Sequence, residues 1–327
     1  MMTRKEKTLE LRRLIADQLR NLIDRDYVLL GLPYYLNVGD ILIWEGEKQF
    51  LQTLHHKCLN EGYHYRDNEK IRNNTLIILQ GGGNFGDLWR FIQNERLSII
   101  QRYPNNPIII TPVTFWYDNP DLMRQDAEVM SRHPHLTICA RDAVSFDLLK
   151  NNFNNQIILV PDMAFFIKRS KIMHNVHHHG EGTLFLKRMD KELAANSSLL
   201  PKEVMDSADV HDWPSLEKDP LCWLYYRKLW KSGNTLGRYA GLRPLSRMTL
   251  KLSDWYFHGY CRKQFIKEGV HFVSRYKNVY TTRLHVGILS ILLDKDVTIL
   301  DNSYGKNATF FNTWLCDTDG VKLWEKQ

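Results

Sequence analysis

Thr75-Leu76-Ile77-Ile78-Leu79-Gln80-Gly81-Gly82-Gly83-Asn84-Phe85-Gly86-Asp87-Leu88-Trp89 is the stretch on which the reading of this chain turns. Its first five residues form an apolar, β-prone run of the length of a buried strand. From Leu88 to Arg102, the residues Leu88, Phe91, Ile92, Leu97, Ile99 and Ile100 fit the buried side of a helix. Strand, glycine-rich turn and helix is an arrangement in which backbone N–H groups at a helix start face an anionic or polyhydroxyl ligand. Three consecutive glycines let the backbone approach that ligand with no Cβ in the way. The run matches neither G-x-G-x-x-G nor the P-loop, so neither dinucleotide nor ATP binding follows from it. A tight turn without a ligand fits the same residues.

A second segment has the same construction. Asn37-Val38-Gly39-Asp40 follows the strand-like Tyr27–Gly31 and opens a helical pattern from Ile41 to Leu54. Asp40 stands where an N-cap is expected. Two Gly–Asp turns at successive strand ends would bring Asp40 and Asp87 to one edge of a parallel sheet, where open α/β folds bind ligands.

Outward from these segments the pattern repeats. Strand-like runs follow at Ile108–Thr111, Leu136–Ala140 and Ile157–Val160, with helical stretches at Leu9–Ile23, Asp121–Arg132 and Ala143–Lys150. This alternation predicts a parallel sheet covered on both faces. A polar run, His174-Asn175-Val176-His177-His178-His179-Gly180-Glu181-Gly182, reads as a linker, and its clustered histidines lack the spacing of a metal site on regular structure. A second α/β set begins at Thr183–Leu186 and continues with Asn278–Thr281, a helix from Arg283 to Leu293, Val297–Leu300, and a last helix from Ala308 to Leu315. Two α/β lobes facing a cleft are expected, residues 1–172 and 173–327. At 327 residues the chain has the length for both.

No apolar run approaches the roughly 20 residues of a membrane span. The start, Met1-Met2-Thr3-Arg4-Lys5-Glu6-Lys7, has no apolar signal region, so cytoplasmic residence is the expectation. Five scattered cysteines with no C-x-x-C indicate neither a disulfide framework nor a thiolate metal site. The net charge of +7 is unevenly spread. From Trp223 to Lys263 Asp254 is the sole acid, against nine Lys and Arg interleaved with Trp and Tyr. Such a mixture suits an anionic membrane surface, a phosphorylated partner or single-stranded nucleic acid, and equally a solvated basic face over a packed core.

In the second lobe cations collect at strand ends: Arg188 after one strand, Arg283 and His285 after another, Lys306 after a third. A cation at a helix N-terminus opposes the macrodipole unless an anion occupies the site. An arginine fork suits carboxylate or phosphate, and a histidine can move a proton. Taken singly, Arg283 could pair with Asp301 and His285 could be a core histidine. Together the four cationic groups favour an anionic ligand.

Asn37-x-Gly39-Asp40, Gly81-Gly82-Gly83-Asn84-Phe85-Gly86-Asp87, Ala140-Arg141-Asp142, Pro161-Asp162-Met163-Ala164-Phe165, Arg188-x-Asp190-x-Glu192, Arg283-Leu284-His285 and Asp301-Asn302-Ser303-Tyr304-Gly305-Lys306 occur in this order. The series resembles the polysaccharide pyruvyltransferase family over nearly the whole chain. The resemblance implies a two-lobed fold like glycosyltransferase type B, with phosphoenolpyruvate as donor co-substrate and a sugar of a surface polysaccharide, or of its lipid-linked precursor, as acceptor. It implies donor binding by Arg188, Arg283, His285, Ser303, Tyr304 and Lys306. Acceptor binding falls to Asn37, Asp40, Gly82, Gly83, Asn84 and Asp87, and acid–base work to His285, Asp40 and Asp87. No metal or other cofactor and no nucleic acid is expected. Peripheral contact with the inner membrane face is expected of residues 223–263. The segment from Trp213 to Arg262 matches none of these motifs. A nucleotide-sugar glycosyltransferase of the same two-lobed fold is the alternative.

Overall fold

The computed structural model describes residues 1–63, 71–176, 180–193 and 200–324. His177, His178 and His179, part of the polyhistidine linker, lie outside the described residues. The strands, in chain order, are β1 (Tyr27–Leu30), β2 (Cys58–Gly62), β3 (Leu76–Leu79), β4 (Gly82–Gly86), β5 (Ile108–Trp116), β6 (Leu136–Ala140), β7 (Gln156–Leu159), β8 (Thr183–Leu186), β9 (Ala208–His211), β10 (Asn278–Thr281), β11 (Val297–Ile299) and β12 (Val321–Leu323). They form two parallel sheets. The first has the order β2-β1-β3-β5-β6-β7 with β4 on β5; the second has the order β12-β11-β10-β8-β9.

Read from the other edge, the second order is 2-1-3-4-5, and the first sheet follows the same progression once β4 is set aside. Both lobes are therefore doubly wound, and each reverses winding direction beside its first strand. In the first lobe that point lies between β1 and β3, and in the second between β8 and β10. The segments that follow the C-terminal ends of these four strands carry Asn37–Asp40, Gln80–Asn84, Arg188–Glu192 and Arg283–His285. The topology thus brings four sequence-distant segments to two facing crevices.

The central strands are apolar on both faces, as strands covered on both sides must be: Tyr27–Leu30, Leu76–Leu79 and Leu136–Ala140 are buried throughout. One apolar core runs through both lobes, from Leu11 and Ile15 through Ile41 and Trp44 to Leu289 and Val297. A second core fills the outer face of the first sheet. The 172/173 boundary falls between the two sheets. The helix Arg4–Leu19 nevertheless docks on the second lobe: Arg4 pairs with Asp294 and Asp296, and Lys7 with Asp317.

Three local expectations are corrected. The strand from Ile108 continues past Pro112 to Trp116, because the register against β6 shifts between Ile110 and Val113 and such an irregularity accommodates proline. The glycine run does not open a helix: Gly82–Gly86 pairs with β5 as a short strand, and the helix begins only at Arg90. Asp40 is not the N-cap of the helix Val38–Leu51. Asn37 is, with its Oδ1 accepting the Gly39 N–H at 3.0 Å, and Asp40 lies in the first turn.

Candidate active site

A cavity of about 1020 Å³ opens between the two crevices. From the first lobe it is lined by Asn37, Asp40, Gly83, Asn84, Trp89 and Arg141, and from the second by Arg188, Asp190, Glu192, Arg283, His285 and Lys306.

His285 enters in the first turn of the helix Leu284–Leu292, behind the N-cap Arg283. Its Nε2 lies 3.2 Å from Asp162 Oδ2 across the lobe interface. Asp162 follows β7, is fully buried, and also accepts from Arg141 Nη1 at 2.9 Å. Burial alone would raise the Asp162 carboxyl, but His285 and Arg141 hold it well below the ordinary range. A carboxylate there favours the proton on Nε2, leaving Nδ1 as the other ring nitrogen. That nitrogen is seated against the helix Val38–Leu51, where a Cβ on Gly39 would come within 2.7 Å of it. Glycine at 39 is therefore what admits the imidazole.

Four cations line the cavity, and two of them stand beside Gly83. A Cβ on Gly83 would lie 3.1 Å from both Arg141 Nη2 and Lys306 Nζ, so this glycine leaves both groups room to meet a ligand. Arg188 donates to Asp190 at 2.7 and 3.0 Å and to Glu192 at 2.7 Å. Arg283 donates to both oxygens of Asp212, its Nη2 at 2.6 Å, and to Asp190 at 3.3 Å. Glu192 accepts from Arg188, Lys306, Tyr304 and, across the cleft, Trp89 Nε1 at 3.1 Å. Burial would raise its carboxyl, yet Lys306 and Arg188 hold it well below the ordinary range. Burial pushes Lys306 down to about 8 against the pull of Glu192. The arrangement holds buried cations in place with carboxylates before any ligand arrives, which limits the reorganisation needed to bind an anion.

Opposite, Asp40 Oδ2 accepts from Asn37 Nδ2 at 2.8 Å and Tyr35 O–H at 3.0 Å. Arg96 is bonded to the Asn84 carbonyl and side-chain oxygens, which holds that loop. Asn37, Asp40 and Asn84 offer donors and acceptors suited to hydroxyl groups.

The structure thus brings together Asn37, Asp40, Gly83, Asn84, Arg188, Arg283, His285 and Lys306. It leaves out four residues. Asp87 turns away and accepts the backbone N–H groups of Asp118 and Asn119 at 2.7–3.0 Å, so it shapes the turn before the helix Pro120–Ser131 and does not line the cavity. Gly82 is buried beneath Gly83, with Ile43 and Asp40 as its neighbours. Ser303 is exposed outside the cavity. Tyr304 stands behind Glu192, its ring stacked on Trp116 at a centroid distance of 4.8 Å. Asp301 is not the partner of Arg283. Its Oδ1 accepts from Asn307 and Ala308 N–H and so caps the helix Lys306–Trp314.

Arg141, Asp162, Asp190, Glu192 and Asp212 were missed as site residues. The first four stand within motifs quoted above, each just beyond a strand. Asp212 follows β9, Ala208–His211, a short strand with mixed polarity that gave no strand signal. Among the described residues no three His, Cys, Asp or Glu side chains come together to hold a metal ion, and no helix is long and apolar enough to cross a membrane.

A polysaccharide pyruvyl transferase family model matches residues 37–304. EpsO of Bacillus subtilis, a pyruvyl transferase by name, is 33% identical over 306 residues, 91% of this chain and 88% of that protein. Pyruvyl transferase 1 of Schizosaccharomyces pombe is 25% identical over 325 residues, 90% of this chain and 71% of its own. An uncharacterized protein from Klebsiella pneumoniae, solved by crystallography, shares the fold with a TM-score of 0.61 over the whole of both chains at 19% identity.

Proposed function

The chain belongs to the polysaccharide pyruvyl transferase family, and on that premise we propose that it moves the pyruvyl group of phosphoenolpyruvate onto a polysaccharide sugar as a cyclic ketal. The observation that carries the donor assignment is the meeting of Arg141 Nη2 and Lys306 Nζ at Gly83, beside the His285–Asp162 pair. Phosphoenolpyruvate bears a carboxylate and a phosphate, and Arg141, Arg188, Arg283 and Lys306 match both. These protein cations neutralise the donor in this reading, so it invokes no metal.

His285 protonates the donor methylene, which becomes a methyl group and leaves cationic character on the adjacent carbon. One sugar hydroxyl attacks that carbon and gives up its proton to a base, for which Asp40 is the candidate. A second hydroxyl of the same sugar then closes the ring as phosphate leaves. Two hydroxyl protons are lost, one replacing the proton given to the methyl group and one departing with phosphate. Asn37, Asp40 and Asn84 hold the acceptor. The acceptor is a sugar of a surface polysaccharide or of its lipid-linked precursor, handled at the membrane face.

Phosphate release from phosphoenolpyruvate in the presence of bacterial polysaccharide fragments tests the reading. The product should gain the mass of one pyruvate less one water and show a ketal methyl signal by NMR. Turnover of nucleotide sugars instead, with phosphoenolpyruvate inert, would assign the cleft to glycosyl transfer.

A further inference from the structure

Residues 221–256 form two antiparallel helices, Leu221–Gly237 and Arg243–Tyr256, that meet through small residues. Ser246 Oγ donates to the Gly233 carbonyl at 2.7 Å, and a Cβ on Gly233 would strike Leu250 at 2.7 Å. The larger apolar side chains are turned outward. On the second helix Leu245, Met248, Leu252 and Trp255 are 42%, 63%, 47% and 70% exposed. Their three- and four-residue spacing places them on one stripe, facing away from the buried Ser246 and Ser253. Tyr239 and Leu242 extend the stripe at the connecting turn, 61% and 40% exposed. Lys251 borders it, Arg247 lies further round the helix, and both are exposed.

The first helix has a different task on its other side. Its Trp223, Tyr226, Arg227, Trp230 and Lys231 line the cavity. The hairpin is therefore at once a wall of the site and the carrier of an exposed apolar face.

We propose that this stripe is a docking surface for an anionic lipid bilayer, and that docking holds the cavity at the membrane interface. Aliphatic and tryptophan side chains with lysine and arginine beside them are the composition of a helix lying in the interface plane. Pairing with a second copy of this chain would bring two strongly basic segments together. Single-stranded nucleic acid calls for successive stacking rings, and the stripe's four helical residues include only one aromatic. The proposal concerns the location of the activity proposed above and does not depend on its chemistry.

Flotation of the full chain with neutral phosphatidylcholine vesicles, and with vesicles containing phosphatidylglycerol, tests it at low and high salt. Wild type should float with the anionic vesicles. The triple variant Met248→Ser, Leu252→Ser, Trp255→Ser should float about tenfold less while keeping its melting temperature. Lys251→Glu should weaken flotation at low salt alone. Wild type left in solution under every condition, or the triple variant floating as wild type does, overturns the proposal. So does a lipid-free dimer that the triple substitution dissociates. Phosphate release with a water-soluble acceptor should be equal in wild type and the triple variant, which separates failure of docking from failure of the pyruvyl assignment.

Discussion

His285 and Asp162 stand 123 residues apart in the chain and on different lobes, yet His285 Nε2 lies 3.2 Å from Asp162 Oδ2. In the proposed reaction, proton transfer through this pair depends on the two lobes being correctly seated.

Asp162→Asn removes the carboxylate that fixes the imidazole proton. Turnover should fall on the order of 10²–10⁴-fold, the usual contribution of a positioned acid–base group, with the donor KM changing much less. Equal losses in both would make Asp162 a purely structural residue. The folded-state Asp162 carboxyl lies below its unfolded value of about 4, so its stabilisation is present above that pH and is lost as pH falls toward the folded value. The melting-temperature gap between wild type and variant should narrow on acidification below about pH 4.

Lys306 titrates near 8 in the protein without donor. Its charge is present below that value and lost above it. The kcat/KM for phosphoenolpyruvate should therefore decline as pH passes about 8, and Lys306→Arg should move the decline to higher pH. A profile identical in both proteins would remove Lys306 from donor binding.

Gly83→Ala would set a methyl group 3.1 Å from both Arg141 Nη2 and Lys306 Nζ. The donor KM should rise at least several-fold, since lysine and arginine termini must shift from the positions proposed for the phosphate. The melting temperature should stay near that of wild type, because both neighbours are ends of flexible side chains. Unchanged donor affinity would place the donor elsewhere in the cavity.

Arg283→Ala has a second consequence besides weaker donor binding. Arg283 and Asp212 are both buried, 5% exposed each, so the substitution leaves the carboxylate unpaired at a cost of about 3–5 kcal/mol. The double variant Arg283→Ala, Asp212→Ala should recover much of that stability and none of the activity. Thermal melts of the three proteins together with donor-binding measurements check both halves.

Glu47, in the helix beneath the glycine run, is buried and pushed up to about 8, with a hydrogen bond from Thr111 Oγ1. Folding then requires proton uptake between its unfolded value of about 4.5 and 8, so wild-type stability should fall as pH rises through that window. Glu47→Gln should abolish this dependence, on the order of 4 kcal/mol by pH 8. Urea midpoints at pH 5 and pH 8 measure it.

The two-lobed α/β architecture and most of the strand ends that line the cavity were legible in the sequence. Apolar runs such as Leu76–Leu79 are long enough to report burial on both faces, and the loops after them hold the polar residues. The motif series also carried the family. Where strands were short and polar, as at Ala208–His211, the pattern was too weak, and Asp212 was lost with it. Asp87 resembled Asp40 in its Gly–Asp context, but the path of the chain after Gly86 turned it toward backbone donors at Asp118 and Asn119. The pairings of Arg283 with Asp190 and Asp212, of Lys306 with Glu192, and of His285 with Asp162 on the other lobe were decided only by tertiary structure. Local sequence fixes which strand end a side chain leaves from, whereas contacts between different strand ends depend on how the strands and the two sheets pack. That packing is set by a shared apolar core whose residues lie hundreds of positions apart.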